Sequence, residues 1–116
     1  MKPVRVKRVY DVPSPNDGMR VLVDRLWPRG LKREGSKIDL WVKELAPSDR
    51  LRRWFGHDPG RWVEFQKRYR SELAKNAEHV ASLRELIKDG KPLTLLYAAK
   101  DIEHNNAIVL RDFLLP

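Results

Sequence analysis

PLTLLYAA, residues 92–99, is the stretch on which the reading of this sequence turns. It is the best strand in the chain: short and apolar, with Pro92 at its mouth, where a missing backbone N–H does least harm. The chain between residues 45 and 93 reads as mostly helical. A long helical connection is what a crossover between parallel strands requires.

Working back from that strand, Ser48 is a good N-cap for a short helix carrying Leu51, Trp54 and Phe55 on one face, with Gly56 as its stop. Asp58-Pro59 supplies a cap and a first-turn proline for the next helix. Its apolar positions, Trp62, Phe65, Tyr69 and Leu73, fall at spacings of three and four, with Glu64–Arg68 and Arg68–Glu72 on the outer side. Val80, Leu83, Leu86 and Ile87 continue the stripe to Asp89-Gly90, and His79 is expected to face solvent. Residues 59–88 fit one bent helix or two. Working forward, KDIEHNN is a loop, and a helix from about His104 carries Ala107, Leu110, Arg111 and Leu114.

The N-terminal part reads as strands and loops. VRVKRVY (4–10) alternates apolar and charged residues, as a half-buried strand does. DVPSPNDG (11–18) is dense in turn formers. MRVLVDRLW (19–27) contains Val21, Leu22 and Val23, a run suited to a strand buried on both faces. PRGLKREGS (28–36) reads as a loop, with one helical turn as the alternative. IDLWVKELAP (38–47) fits a helix face through Ile38, Trp41, Val42 and Leu45, and a strand face through Ile38, Leu40 and Val42; strand is preferred, and Pro47 ends any helix before Ala46. The link from residue 10 to 20 is too short for a helical crossover, so one strand pair is antiparallel or non-adjacent. The expected fold is α/β: a single domain, residues 1–116, with a mixed or mostly parallel sheet of about four strands and helices packed on it.

Composition agrees with one globular core. The 116 residues are 41% hydrophobic and 34% charged, with ten aromatic side chains. There is no cysteine, so disulfides, thiolate catalysis and zinc–thiolate or iron–sulfur sites are excluded. The first residues lack the apolar run of a signal peptide, and no segment approaches the roughly 18 apolar residues of a spanning helix. A cytoplasmic protein with no membrane partner is expected. Net charge is +8, and residues 1–37 hold ten Lys/Arg against four acids, a balance of +6. Such a basic third attracts an anionic partner, or simply keeps the protein soluble.

Two strands end in polar clusters. The first runs into Asp24-Arg25 and then Arg29-Gly30; the second ends at Tyr97 and is followed by Lys100, Asp101, His104, Asn105 and Asn106. In open α/β sheets ligands bind beyond the carboxyl ends of strands, and a helix N-terminus there adds unpaired N–H groups. The expected site is an anion cleft in which Arg25, Arg29 and Lys43 hold the anion, with Tyr97 and Asn105 completing the binding set. His104 is the candidate acid–base group and Asp24 its orienting partner. Structural alternatives stand beside each: Asp24 clamped to Arg25 or Arg29, Asn105 and Asn106 as caps, the four tryptophans as core or core rim. His57, between Gly56 and Asp58, either titrates in a site or pairs locally with Asp58. No paired metal-ligand spacing, Walker loop or G-x-G-x-x-G occurs, so no metal or cofactor is expected.

VDRLWPRG (23–30), WVKELAPS (41–48), LRRWFGHDP (51–59), WVEFQKRY (62–69) and LLYAAKDIEHNNAIVL (95–110), in that order, closely resemble the YeaO-like branch of a domain family of unknown function. The resemblance covers essentially the whole chain and implies a small cytoplasmic prokaryotic protein. The wider family carries an Asp-x-Arg-like strand end, which Asp24 and Arg25 resemble. It also carries a leucine-leucine-cysteine strand and a Cys-His-Arg helix start, which Leu95-Leu96-Tyr97 and His104 resemble. Tyr97 and Glu103 stand where that larger group has cysteines. The resemblance therefore implies an Asp/Arg/His cleft without thiol chemistry.

Three roles remain open on the sequence: a binding domain or enzyme for a small anionic compound, a basic nucleic-acid-associated protein without a recognisable reading motif, and a protein-interaction module without catalysis.

Overall fold

The computed structural model describes residues 4–115. Strands β1 (Val4–Arg8), β2 (Met19–Leu22), β3 (Leu40–Trp41) and β4 (Leu93–Tyr97) form one sheet in the order β1-β4-β2-β3, and every pair is parallel. The strand read first from the sequence is thus the centre of the fold. Val6 and Val21 both lie opposite Leu95. The sheet is wholly parallel, and the short link between β1 and β2 is explained by their being non-adjacent, one on each side of β4. Residues 9–18 return as an irregular loop with one 3-10 turn at Pro15–Asp17.

Helices α1 (Asp49–Phe55), α2 (Trp62–Lys75), α3 (Ala77–Lys88) and α4 (Asn106–Leu114) pack on one face. Val21, Leu93 and Leu95 of the sheet meet Phe65, Tyr69 and Leu110 there in one buried cluster. The opposite face, with Leu22 and Leu96 at its centre, is covered by loop side chains including Trp27, Leu31 and Ile38, together with Trp41 of β3. Helices on one face and a loop on the other explain why this parallel sheet is buried on both sides.

Local signals set the boundaries. Ser48 Oγ accepts from Leu51 N at 3.1 Å, and Gly56 closes α1 in the left-handed conformation. Asp58 caps a 3-10 turn at Pro59–Arg61 that leads into α2. The long stripe is two helices, broken at Asn76, and His79 is half-buried. Glu72 does not stay on the outer side: it receives Ser48 N and Oγ at 2.7 and 2.6 Å, while Arg68 pairs with Glu64 alone. Residues 38–47 hold both expected characters in sequence, a two-residue strand and then a 3-10 turn at Lys43–Leu45. Gly18, at φ +64°, has no room for a side chain, since a Cβ would lie 2.2 Å from Pro92 O.

The return loop carries a buried ionic cluster. Asp17 binds Arg20 at 2.5 Å and Lys7 at 3.2 Å, and its carbonyl accepts from Thr94 Oγ1 at 2.7 Å. Arg20 also donates from Nε to Lys37 O at 2.8 Å. Asp17 titrates below the usual carboxylate range: burial opposes this, but Ser14 N–H and the Arg20 and Lys7 side chains outweigh it.

Candidate functional site

The ends of β2 and β4 are stitched together by Asp24. Beyond the last paired residues, Val23 N donates to Leu96 O at 3.1 Å, and Asp24 Oδ2 accepts from Ala98 N at 2.9 Å. Asn106, in the first turn of α4, donates to Val23 O at 2.9 Å. The start of α4 is therefore fastened to the end of β2. Asp24 makes no ion pair among the described residues, so the clamp to Arg25 or Arg29 does not form. Burial raises its pKa, against the pull of Ala98 N–H, the Asn106 side chain, and the charges of His57 and Arg52.

A cavity of about 760 Å³ opens at this point, and Asp24, Arg25, Arg29, His104 and Asn105 all line it. Arg25 spends its Nε on Pro47 O at 3.1 Å, and its terminal nitrogens take no protein partner among the described residues. Arg29 is exposed, and its carbonyl accepts the Tyr10 hydroxyl at 2.8 Å. Lys100, Arg52 and His57 add further positive or protonatable groups to the wall. Arg52 is already paired with Asp49 at 2.5 Å.

His104 is held from two sides. Its Nδ1 lies 2.9 Å from Asp101 Oδ2. A carboxylate only accepts, so the proton sits on Nδ1 and Nε2 is the free nitrogen. Trp62 meets the imidazole edge-on at 5.2 Å. Asp101 Oδ1 receives Glu103 N and His104 N at 2.9 and 3.0 Å. Glu103 N–H, and then His104, outweigh partial burial and hold Asp101 below the usual carboxylate range. The pair is an oriented imidazole with one face of chemistry available.

Two residues expected in this set lie elsewhere. Tyr97 is buried in the helix-side core with Leu93 and Leu95, because alternation along β4 turns it to that face. Lys43 is not among the cavity residues; its Nζ sits 5.3 Å from the Trp41 ring centroid. Asn105 lines the cavity but is fully occupied as the α4 N-cap, accepting from Ile108 N and donating to Asp101 O. The helix itself begins at Asn106, two residues later than expected. Sequence reasoning missed Asp101 as the partner of His104, although the Asp-x-x-His spacing before a helix was there to be read. It also missed Tyr10 and Arg52. No group of three or more His, Asp or Glu side chains among the described residues is arranged to hold a metal ion.

Residues 3–116 match the family model DUF488-N3i, described as "Inactive DUF488-N3 subclade". The chain belongs to this family. It is 43% identical over 111 residues to the uncharacterized protein YeaO of Escherichia coli (strain K12), covering 96% of each chain. Uncharacterized proteins Mb3100c of Mycobacterium bovis and Rv3073c of Mycobacterium tuberculosis are each 41% identical over 111 residues, 96% of this chain and 92% of theirs. No solved structure matches the chain. The YeaO-like resemblance read from the five motifs is thereby established. Among the described residues, no helix is long and apolar enough to cross a membrane.

Proposed function

We propose that this DUF488-N3i protein is a binding domain for a small anion, held without turnover in the cleft beyond β2 and β4. The observation that carries the reading is the imbalance of charge around one cavity. Arg25, Arg29, Lys100, Arg52 and two histidines converge there with only two carboxylates, Asp24 and Asp101. Burial pushes Asp24 toward its neutral form, and Asp101 is committed to His104. Arg25 offers paired terminal N–H groups, and His104 in its imidazolium form adds an Nε2–H; both donate to the oxygens of a phosphate or carboxylate.

The description of the subclade as inactive supports binding over catalysis. One observation favours a second, catalytic reading, in which Asp101 orients His104 as a general base. That reading requires measurable hydrolysis of an activated phosphate or carboxylate ester, lost in His104→Ala.

The nucleic-acid alternative is weakened by where the basic N-terminal third spends its charge. Lys7 and Arg20 are consumed by Asp17, Arg8 by the carbonyls of Ala98 and Ala99, and Arg33 lies over Trp27. Lys2 lies outside the described residues. A phosphate-tracking surface needs such cations free.

The test is thermal unfolding of the full chain in increasing inorganic phosphate at constant ionic strength. The expected result is a rise in Tm of the wild type that is lost in Arg25→Ala and in His104→Ala, both remaining folded. An equal rise in all three proteins, or none in any, would sink the anion site.

A further inference from the structure

A bare inorganic anion would fill only a small part of the cleft. The cleft's 760 Å³ is in the range that accommodates drug-sized organic ligands, and many times the roughly 30 Å³ that one water molecule occupies. Two of its walls expose large apolar side chains to solvent, Tyr10 at 43% and Leu26 at 60% exposure. Val12, Leu40, Val63 and Ile102 are also exposed, but Tyr10 and Leu26 are the two that share one concave site with the arginines.

Tyr10 is also unusually well fixed for an exposed side chain. Its hydroxyl donates to Arg29 O at 2.8 Å, and the Arg8 guanidinium lies over its ring at 5.2 Å. Arg8 is in turn anchored at 2.9 and 3.1 Å to the carbonyls of Ala99 and Ala98, the loop that follows β4. The ring is therefore fixed through its hydroxyl and backed on one face by Arg8, beside the backbone of one of the cleft's own arginines. A rigid aromatic side chain contributes large contact area at low entropic cost when a planar group settles on it.

We propose that the ligand of this cleft is an aromatic anion: a planar ring joined to a phosphate or carboxylate, with the acid met by Arg25 and Arg29 and the ring laid against Tyr10 and Leu26. The proposal rests on the anion-binding reading above and names its ligand class. It explains why the same cavity combines arginines with uncovered apolar groups.

Isothermal titration of the full chain with phenyl phosphate, methyl phosphate, benzoate and benzyl alcohol separates the contributions. Phenyl phosphate is expected to bind at least tenfold more tightly than methyl phosphate, and benzyl alcohol at least tenfold more weakly than phenyl phosphate. Benzoate against phenyl phosphate identifies the acid group. In Tyr10→Ala the phenyl-to-methyl preference should fall below threefold, while Tyr10→Phe, which keeps the ring, should retain most of it. Equal binding of phenyl and methyl phosphate, both abolished by Arg25→Ala, would overturn the aromatic ligand and leave the anion site standing. Binding of neither phosphate nor benzoate would overturn both.

Discussion

The return loop and the cleft are both built around an aspartate among basic residues, and they use it in opposite ways. In the loop, Asp17 is buried with Arg20 and Lys7, and the ionised carboxylate is what the surroundings favour. In the cleft, Asp24 is joined to no cation among the described residues, and burial favours its neutral form. One carboxylate is matched to the folded state; the other is tolerated by it. Charge that fits the fold is a structural device; whether Asp24 serves the proposed cleft instead is what separates the two regions experimentally.

The sharpest way to break the comparison is Asp17→Ala. It leaves the buried Arg20 guanidinium without its partner, and breaking a buried ion pair from one side costs about 3–5 kcal/mol. Urea unfolding at neutral pH should show that loss, with the cleft's affinity for phosphate unchanged once the protein is folded. The wild type also has a signed pH response. A depressed folded pKa means that Asp17 stabilises fully above its unfolded value, near 3.9, and that this contribution disappears as pH falls through the folded value. The acid limb of the stability curve should therefore flatten in Asp17→Ala.

Asp24→Asn should act in the opposite direction. With its folded pKa raised, wild-type stability falls as pH climbs from the ordinary carboxylate value through the raised one. An amide keeps an acceptor for Ala98 N–H and never ionises. The variant should melt higher than wild type at neutral pH, with the gap closing as pH falls below the ordinary carboxylate range. A lower Tm at neutral pH would mean that Asp24 is a structural residue like Asp17, and the contrast between the two regions would collapse.

Much of this arrangement was legible in the sequence wherever its cause was local. Ser48 and Gly56 bound α1, Asp58-Pro59 opens the turn before α2, and Leu93–Tyr97 forms the central strand, because caps, prolines and apolar runs act within a few residues. The order β1-β4-β2-β3 was not legible, since it is decided by partners about 70 to 90 residues apart along the chain. Convergence of Arg25 and His104 on one cavity depends on that order. Tyr97 shows a signal that was present and not used: the alternation that buries Leu93 and Leu95 also buries Tyr97. The charge of Lys43 suits an anion site, but the 3-10 turn that carries it leaves it beside Trp41. Segment 38–47 satisfied two periodicities because it changes structure midway.

The smallest effect, and the finest probe of the comparison, comes from His57. It follows Gly56 in a second consecutive left-handed residue, at φ +57°, on the wall of the cleft. Residues with a Cβ adopt that conformation at a cost of about 1–2 kcal/mol, lowered for histidine by its tolerance of this region. Glycine removes the steric cost and adds entropy to the unfolded chain, so His57→Gly should gain at most about 1 kcal/mol. A gain of that size corresponds to a Tm rise of about 4 °C in a chain of this length. The same variant removes a protonatable group from the cleft and should weaken phosphate binding. Higher stability with weaker binding would put His57 in the same class as Asp24, a residue the fold carries for the cleft. A fall in Tm would instead mean that the packing of its ring against Phe55, 6.3 Å away, outweighs the backbone strain.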